Sequence, residues 1–383
     1  MSDILDDILG DEDKKAPDVV KTDAKLVVID ATTKDVSEKL DYLPGCGVDI
    51  GTSNIVVARR TKEGTFVNRF HRNMLYPLDI SEEAMDLLEK SSYLYVKVGD
   101  KYFVVGEDAL TLVNAIGRGD IVRPMKDGIL NPSLKESTDL LFYIIKAVVG
   151  DPIIENEPLR FSIPANPIDS DLDNLFHKMI LDDFFKRIGY DPKAVNEAMC
   201  ICYDCNPVMI DDDGKKLPLT GIVCSAGGGM WNIALSFKGL SLVEFSCTKS
   251  GDNLDEQVAK VTGISKNKVI KVKEKKLDLE NIDSTDRVQT ALSIYYDEML
   301  NRMIHHITEN FKDKNSEMDG EVEIVIAGGT SMAPGFCKRF SVVAKASELP
   351  FNITSVRHSE TPFYSVSQGA CIRAQADHSK NKK

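Results

Sequence analysis

Two stretches of this chain constrain its fold more than any others. "GVDIGTSNIVVAR" (Gly47 to Arg59) and "IVCSAGGGMWNIALSF" (Ile222 to Phe237) share an apolar strand, a glycine-rich bend, Asn-Ile and a second apolar strand, about 175 residues apart. A strand–bend–strand unit occurring once in each half of a chain is the mark of a duplicated lobe. The bend itself has a chemical use, because glycine N–H groups can point inward unobstructed and form a nest for an anion. In a dinucleotide fold or a P-loop such glycines lead straight into a helix. Here Gly51-Thr52-Ser53-Asn54 is followed by Ile55-Val56-Val57, a β-branched run that favours a returning strand. Each unit is therefore expected to be a hairpin.

The rest of the chain alternates strands and helices. "SSYLYVKVGDKYFVVGEDAL" reads as two strands about a Gly99-Asp100 turn, "STDLLFYIIKAVVG" as a helix, "LRFSIPAN" as a buried strand and "DSDLDNLFHKMILDDFFKRIGY" as an amphipathic helix. After a turn at Asp211 to Lys216 the β pattern returns. Helices follow at "NLDEQVAKVTG" and "RVQTALSIYYDEMLNRMIHHITENF", then the strand "EVEIVIA", and a last helix within "TPFYSVSQGACIRAQA". Alternation of this kind specifies an α/β protein.

At 383 residues, 43% hydrophobic and 28% charged, the chain has enough apolar content for two lobes of ordinary domain size. A net charge of −13 argues against a basic nucleic-acid surface. No apolar run is long enough to span a bilayer. "MSDILDDILGDEDKK" carries acids where a secretory signal would carry basic residues, so a cytoplasmic protein is expected. Residues 1–40 are acidic and lack sustained periodicity, which reads as a flexible tail able to engage a protein partner. The eight cysteines show no disulfide framework; Cys200, Cys202 and Cys205 could ligate a metal, but without a second cluster they read as core thiols.

A third glycine site lies in "IVIAGGTSMAPGF", where a strand runs into Gly328-Gly329 and then Thr330, Ser331 and Met332. Paired glycines at a strand end let a flat ligand approach the backbone, and a methionine can pack on its face. An adenine would fit. At the first bend, Thr52, Ser53 and Asn54 can add hydrogen bonds to phosphate oxygens, and Asp49 can hold Mg2+ through its water shell.

The ordered set "GVDIGTSNIVVAR", "RPMKDGIL", "SIPANP", "VNEAMC", "AGGGMWNIAL", "SGDNLDEQVAK", "VKEKK" and "IAGGTSMAPGF" resembles the actin-like ATPase superfamily. That superfamily includes actin, MreB, MamK, ParM, the DnaK-type chaperones and the sugar kinases. The resemblance implies a two-lobed, ribonuclease-H-like duplicated fold with a nucleotide cleft between lobes, binding ATP or ADP with Mg2+. It also implies roles for individual residues. Asp49 would organise the metal; Gly51, Thr52, Ser53 and Asn54 would form the first phosphate loop, and Gly227, Gly228 and Gly229 the second. Gly251 would approach ribose and phosphates, Lys273 and Glu274 would contact ribose and adenine, and Gly328, Gly329, Thr330 and Met332 would form the adenosine pocket. Glu197 would position the attacking water. Taken without the resemblance, Lys273 and Glu274 belong to a charge run and Glu197 to a helix face.

The expected layout is a tail (1–40), a first lobe (41–206) with a small insertion near 65–109, a second lobe (207–356), and a return helix with a polar tail (357–383). A DnaK-type chaperone would need a substrate-binding β domain after the ATPase lobes, which is not expected here; a sugar kinase would need a catalytic aspartate for the sugar hydroxyl, and the sequence singles out no candidate. The expected function is a self-assembling cytoskeletal filament protein. The alternative is a non-polymerising nucleotide-gated adaptor or pseudo-ATPase. Relatives usually carry Asp where this chain has Ser225, and Thr or Val where it has Met230 before Trp231. Phosphate binding by backbone should survive that change and hydrolysis should be slow; on this reading Ser225→Asp would accelerate it.

Overall fold

The computed structural model describes residues 41–79, 81–91, 93–99, 101–117, 119–205, 209–210, 216–312 and 321–381. The acidic segment 1–40 and most of the Asp211–Lys216 turn lie outside the described residues. The chain divides into two compact units. Unit 1 comprises residues 1–161, 175–194 and 374–383; unit 2 comprises 162–174 and 195–373.

Unit 1 contains strands β1 (Cys46–Ile50), β2 (Asn54–Arg60) and β3 (Phe66–Arg72), a small sheet of β4 (Leu75–Asp79), β5 (Tyr95–Val98) and β6 (Lys101–Val105), and the hairpin β7 (Met125–Lys126) and β8 (Ile129–Leu130). β9 (Glu157–Ile163) and β10 (Tyr190–Asn196) complete its main sheet. Its helices are α1 (Glu82–Ser91), α2 (Glu107–Ile116), α3 (Ser137–Val149) and α4 (Leu175–Arg187). β3 pairs with β2 along its whole length. The small sheet and α2 share a core of their own that includes Tyr76, Val104, Leu110 and Val113.

Unit 2 holds the short hairpin β11 (Met209–Ile210) and β12 (Lys216–Leu217), then β13 (Gly221–Ala226), β14 (Trp231–Phe237), β15 (Leu240–Cys247), β16 (Glu321–Ala327) and β17 (Asn352–His358). Its helices are α5 (Glu197–Asp204), α6 (Gly251–Thr262), α7 (Lys266–Lys275), α8 (Arg287–Phe311) and α9 (Phe336–Ala346). The last helix, α10 (Ser365–Asn381), begins in unit 2 and continues into unit 1 at Ala374.

The two main sheets have one plan. In unit 1 the order is β10-β9-β1-β2-β3 and in unit 2 it is β15-β14-β13-β16-β17. Each therefore has three consecutive antiparallel strands with the fourth laid parallel beside the first. The duplication visible in two short motifs is thus a duplication of whole sheets. Both faces of the unit 2 sheet are covered, with Trp231, Ile233 and Leu235 in one core and Val223, Ala234 and Val325 in the other. That explains why these strands read as continuous apolar runs rather than alternating ones.

Buried polar anchors fix the sheets. In unit 1 the fully buried Glu157 accepts from Arg59 Nη1 at 2.7 Å, from Gly45 N at 2.9 Å and from Ile153 N at 2.9 Å. The same guanidinium donates to Tyr190 Oη at 2.8 Å, so one buried ion pair joins β2, β9 and β10 and holds Gly45, just before β1. α4 starts at Leu175 rather than at Asp169, where the amphipathic pattern opens. The reason is tertiary: Asp169 accepts from Thr248 N at 2.9 Å, and Asn174 donates to Pro164 O at 2.6 Å, bonds that tie the segment outside the helix. The eight cysteines are free thiols, and Cys200 and Cys202 are buried in the core as expected. No helix among the described residues is long and apolar enough to cross a membrane.

Candidate functional site

The first glycine bend closes on itself. Gly51 N donates to Asn54 O at 3.0 Å, and a Cβ at Gly51 would lie 2.8 Å from that oxygen, so the turn requires glycine. The second bend repeats this geometry: Gly227 N donates to Met230 O at 3.0 Å, and a Cβ there would meet the oxygen at 2.7 Å. In unit 1 the loop is braced from outside. Asn73 Nδ2 donates to Gly51 O at 3.0 Å, Asn73 N to Ser53 O at 2.9 Å, Gly128 N to Thr52 Oγ1 at 3.0 Å and Arg123 to Ser53 Oγ at 3.2 Å. Thr52 is buried, whereas Gly51, Ser53 and Asn54 are half-buried. Asp49 is half-buried on β1 opposite Val56, two residues before the bend.

In unit 2 two of the predicted residues, Gly251 and Thr330, converge with Ser250 on one carbonyl. Gly227 O accepts from Ser250 Oγ at 2.5 Å, from Thr330 Oγ1 at 2.7 Å and from Gly251 N at 3.3 Å. Asp252 N adds a bond to Gly228 O at 2.7 Å. The second loop, the start of α6 and the 3-10 turn Gly329–Met332 are thereby locked together. A Cβ at Gly251 would stand 2.3 Å from Thr330 Oγ1, so this packing demands glycine. Gly229 is buried. Gly328 has φ +95°, and its Cβ would lie 2.4 Å from Ala226 O, whereas a Cβ at Gly329 would meet nothing within 4 Å. Met332 is 48% exposed, so a large apolar side chain stands open beside that space.

Lys273 is not a solvated charge. Its ammonium donates to Asp255 Oδ2 at 2.7 Å and to Gly251 O at 3.4 Å, tying α7 to α6. Glu274, next to it, is exposed. Burial pushes the Asp255 carboxyl up to about 6, against the pull of Lys273. An aspartate raised in the folded state stabilises the fold below its unfolded pKa, and that contribution is lost as pH rises through the folded value. The Asp255 contribution to stability is therefore expected to fall between pH 3.8, its ordinary value, and about 6. Urea unfolding at pH 4 and 7 should show a smaller pH slope for Asp255→Asn than for the native chain; an unchanged slope would assign the titration elsewhere.

Glu197 is the first residue of α5, after an Asn196 cap whose side chain accepts from Met199 N at 3.1 Å. Both its carboxylate oxygens are engaged. Ser225 Oγ donates to Oε1 at 2.6 Å and Asn232 Nδ2 to Oε2 at 2.9 Å. Asn232 is itself fixed, because its Oδ1 accepts from Ala165 N at 2.9 Å. Ser225 is thus a hydrogen-bond donor to the Glu197 carboxylate. The two residues after the glycines turn into the interior. Met230 is buried with its sulfur 3.5 Å from Ser246 Oγ, and Trp231 stacks in the core, 6.0 Å from Phe336 and 6.3 Å from Phe340.

Residues 45–374 match the family described as Volactin. The chain belongs to the volactin family. No curated protein matches the sequence. Among solved structures, this volactin chain is similar to the MamK double helical filament (19% identity, TM-score 0.63, covering 86% of this chain and 98% of that one). It is also similar to MreB5 of Spiroplasma citri bound to ADP (16%, 0.59, 89% and 98%) and to the ethanolamine utilization protein EutJ of Carboxydothermus hydrogenoformans (14%, 0.51, 88% and 92%). At these identities the likeness establishes the fold. The volactin chain has the actin-like α/β fold, each of its units built on a five-stranded sheet.

Sequence reasoning missed Ser250, Asp255 and Asn232. Asn232 carried a signal, the Asn-Ile shared by the two hairpins. Ser250 and Asp255 carried none, because capping serines and helix aspartates are common wherever a helix meets solvent.

Proposed function

We propose that this chain binds ATP or ADP with Mg2+ and assembles with copies of itself into a cytoplasmic filament that turns over by slow hydrolysis. The observation that carries the reading is the pair of glycine bends with one geometry, each a ready nest for phosphate oxygens. Unit 1 offers the first bend with Asp49. Unit 2 offers the second bend with Glu197 and the open space beside Gly329 and Met332 for an adenosine. Support comes also from similar structures, MreB5 being solved with ADP and with AMPPNP and MamK as a filament. Among the described residues no group of three or more His, Cys, Asp or Glu side chains could hold a metal. That fits Mg2+ held through nucleotide phosphates, waters and a single carboxylate such as Asp49; the ion would supply charge neutralisation at the phosphates.

Pelleting and electron microscopy with ATP, with ADP and without nucleotide test the assembly, and a phosphate-release assay tests hydrolysis. Glu197→Ala should bind ATP with unchanged affinity and give polymers that persist several-fold longer, because a water-orienting carboxylate acts after binding. Loss of assembly in a folded Glu197→Ala variant that still binds ATP would overturn that role. The second reading, a non-polymerising nucleotide-gated adaptor or pseudo-ATPase, is favoured by one observation: a hydroxyl, Ser225, stands where the actin-like resemblance implies a carboxylate. Nucleotide binding without pelleting would decide for it. A protein partner for the acidic residues 1–40 belongs to either reading, and a pull-down with and without that segment tests it.

A further inference from the structure

The segment "RPMKDGIL" (Arg123 to Leu130) lies against the first glycine bend. It folds as a hairpin in which Met125 pairs with Leu130 and Lys126 with Ile129. The two turn residues, Asp127 at φ 48° and Gly128 at φ 76°, both take the left-handed conformation that closes a tight hairpin. Arg123 is anchored from both sides. Val122 exchanges two backbone bonds with Leu75 at 2.8 Å, and Arg123 O accepts from Asn131 Nδ2 at 3.0 Å. The arginine backbone is therefore fixed beside the bend that Asn73, two residues before Leu75, also braces.

From this anchor the hairpin donates to both hydroxyls of the bend. Arg123 Nη1 reaches Ser53 Oγ at 3.2 Å, and Gly128 N reaches Thr52 Oγ1 at 3.0 Å. A hydroxyl has one proton to give. With the accepting done by the brace, each hydroxyl is left to act as a donor, the role a phosphate oxygen requires. The guanidinium also brings a permanent positive charge to the bend. Ser53 and Arg123 are both half-buried, so that charge is screened less than one in open solvent. The hairpin itself carries both signs, Lys126 and Asp127, which leaves the guanidinium on Ser53 as the charge that the fold directs at the bend.

We infer that Arg123 is a positioning residue of the first bend, which holds Ser53 as a donor and selects the triphosphate nucleotide over the diphosphate. The role rests on the nucleotide reading above. ATP carries one more negative charge than ADP, and a cation fixed at the phosphate cradle favours the more highly charged ligand.

Titration calorimetry of the full chain with Mg-ATP and with Mg-ADP tests this. The native chain should prefer ATP, and Arg123→Gln should reduce the ratio of ATP to ADP affinity by about fivefold or more. Arg123→Lys, which keeps the charge and a donor, should hold the ratio near the native one. An unchanged ratio in Arg123→Gln would overturn the role, as would a native chain without preference. Equal weakening of both nucleotides would also overturn it, being the mark of a brace that only shapes the loop. So would a lysine variant as poor as the glutamine variant, because the charge would then not be what selects. If Arg123→Gln does not fold, Arg123→Met, which keeps the length of the side chain without its charge, takes its place. A native chain that binds neither nucleotide would sink the nucleotide reading itself, whereas native binding with an unaltered ratio in the variants would remove this role alone.

Discussion

Gly329→Phe should abolish measurable ATP binding in a chain that folds normally, whereas Gly328→Ala, one residue earlier, should damage the fold itself. The two glycines are adjacent but constrained differently. At Gly328 the backbone has φ +95° and ψ 151°, a region essentially reserved for glycine, and an added Cβ would lie 2.4 Å from Ala226 O. Backbone strain of that kind costs on the order of 1–3 kcal/mol before the clash is counted, and the clash is with a strand carbonyl that cannot swing away. At Gly329 a Cβ meets no atom within 4 Å, so the chain can carry a side chain there. A phenyl ring at that position would occupy the space assigned to the adenosine, and a 100-fold loss of affinity requires only about 2.7 kcal/mol. Thermal melting and nucleotide titration of both variants separate the effects. Undiminished ATP affinity in a folded Gly329→Phe variant would place the nucleoside elsewhere.

Ser225→Asp should slow ATP hydrolysis at least tenfold, about 1.4 kcal/mol of barrier. This reverses the sign expected from the sequence, and the reason is a single contact. Ser225 Oγ donates to Glu197 Oε1 at 2.6 Å, so an aspartate in its place would set one carboxylate against another. Two carboxylates sharing a site cannot both ionise freely, and one of them binds a proton at a raised pKa. On the proposed reading, Glu197 would then lose the charge, or the orientation, needed to hold a water. Ser225→Ala, which only removes the donor, should give a smaller loss. A readout independent of turnover follows from linkage. A carboxyl pair with a raised folded-state pKa is most stable at low pH and loses stability as pH rises through that value, so Ser225→Asp should unfold more easily at pH 7 than at pH 5 relative to the native chain. An accelerated rate with no change in pH dependence would mean that the two side chains do not meet in the working protein.

The local features of this chain were legible without its structure. The bends at Gly51 and Gly227 were readable as hairpins because β-branched or apolar strand residues follow each closely, and the chain reverses through a hydrogen bond only three residues long. Helices such as Ser137–Val149 and Arg287–Phe311 were readable because their apolar spacing follows the helical repeat. The duplication was readable from two motifs, although only the strand order showed that it extends to entire sheets.

Tertiary structure decided everything that depends on a distant partner. Lys273 and Glu274 adjoin in one charge run, yet Lys273 is paired with Asp255, 18 residues away, while Glu274 is exposed. Glu197 draws its two donors from 28 and 35 residues along the chain, which gives Ser225, read from the sequence as a lost carboxylate, a hydrogen bond to Glu197 that the sequence did not show. The helix beginning at Leu175 is shortened where Asp169 accepts a bond from Thr248 N, 79 residues away. Periodicity reports which face of an element is buried, but a polar side chain's partner is set by whichever donor or acceptor the folded chain brings within about 3 Å. The sequence alone therefore determined the hairpins, the helices and the family of fold. The packing of the sheets and helices determined that Ser225 serves Glu197, that Met230 and Trp231 turn into the interior, and that Gly328 holds the backbone while Gly329 leaves room beside it.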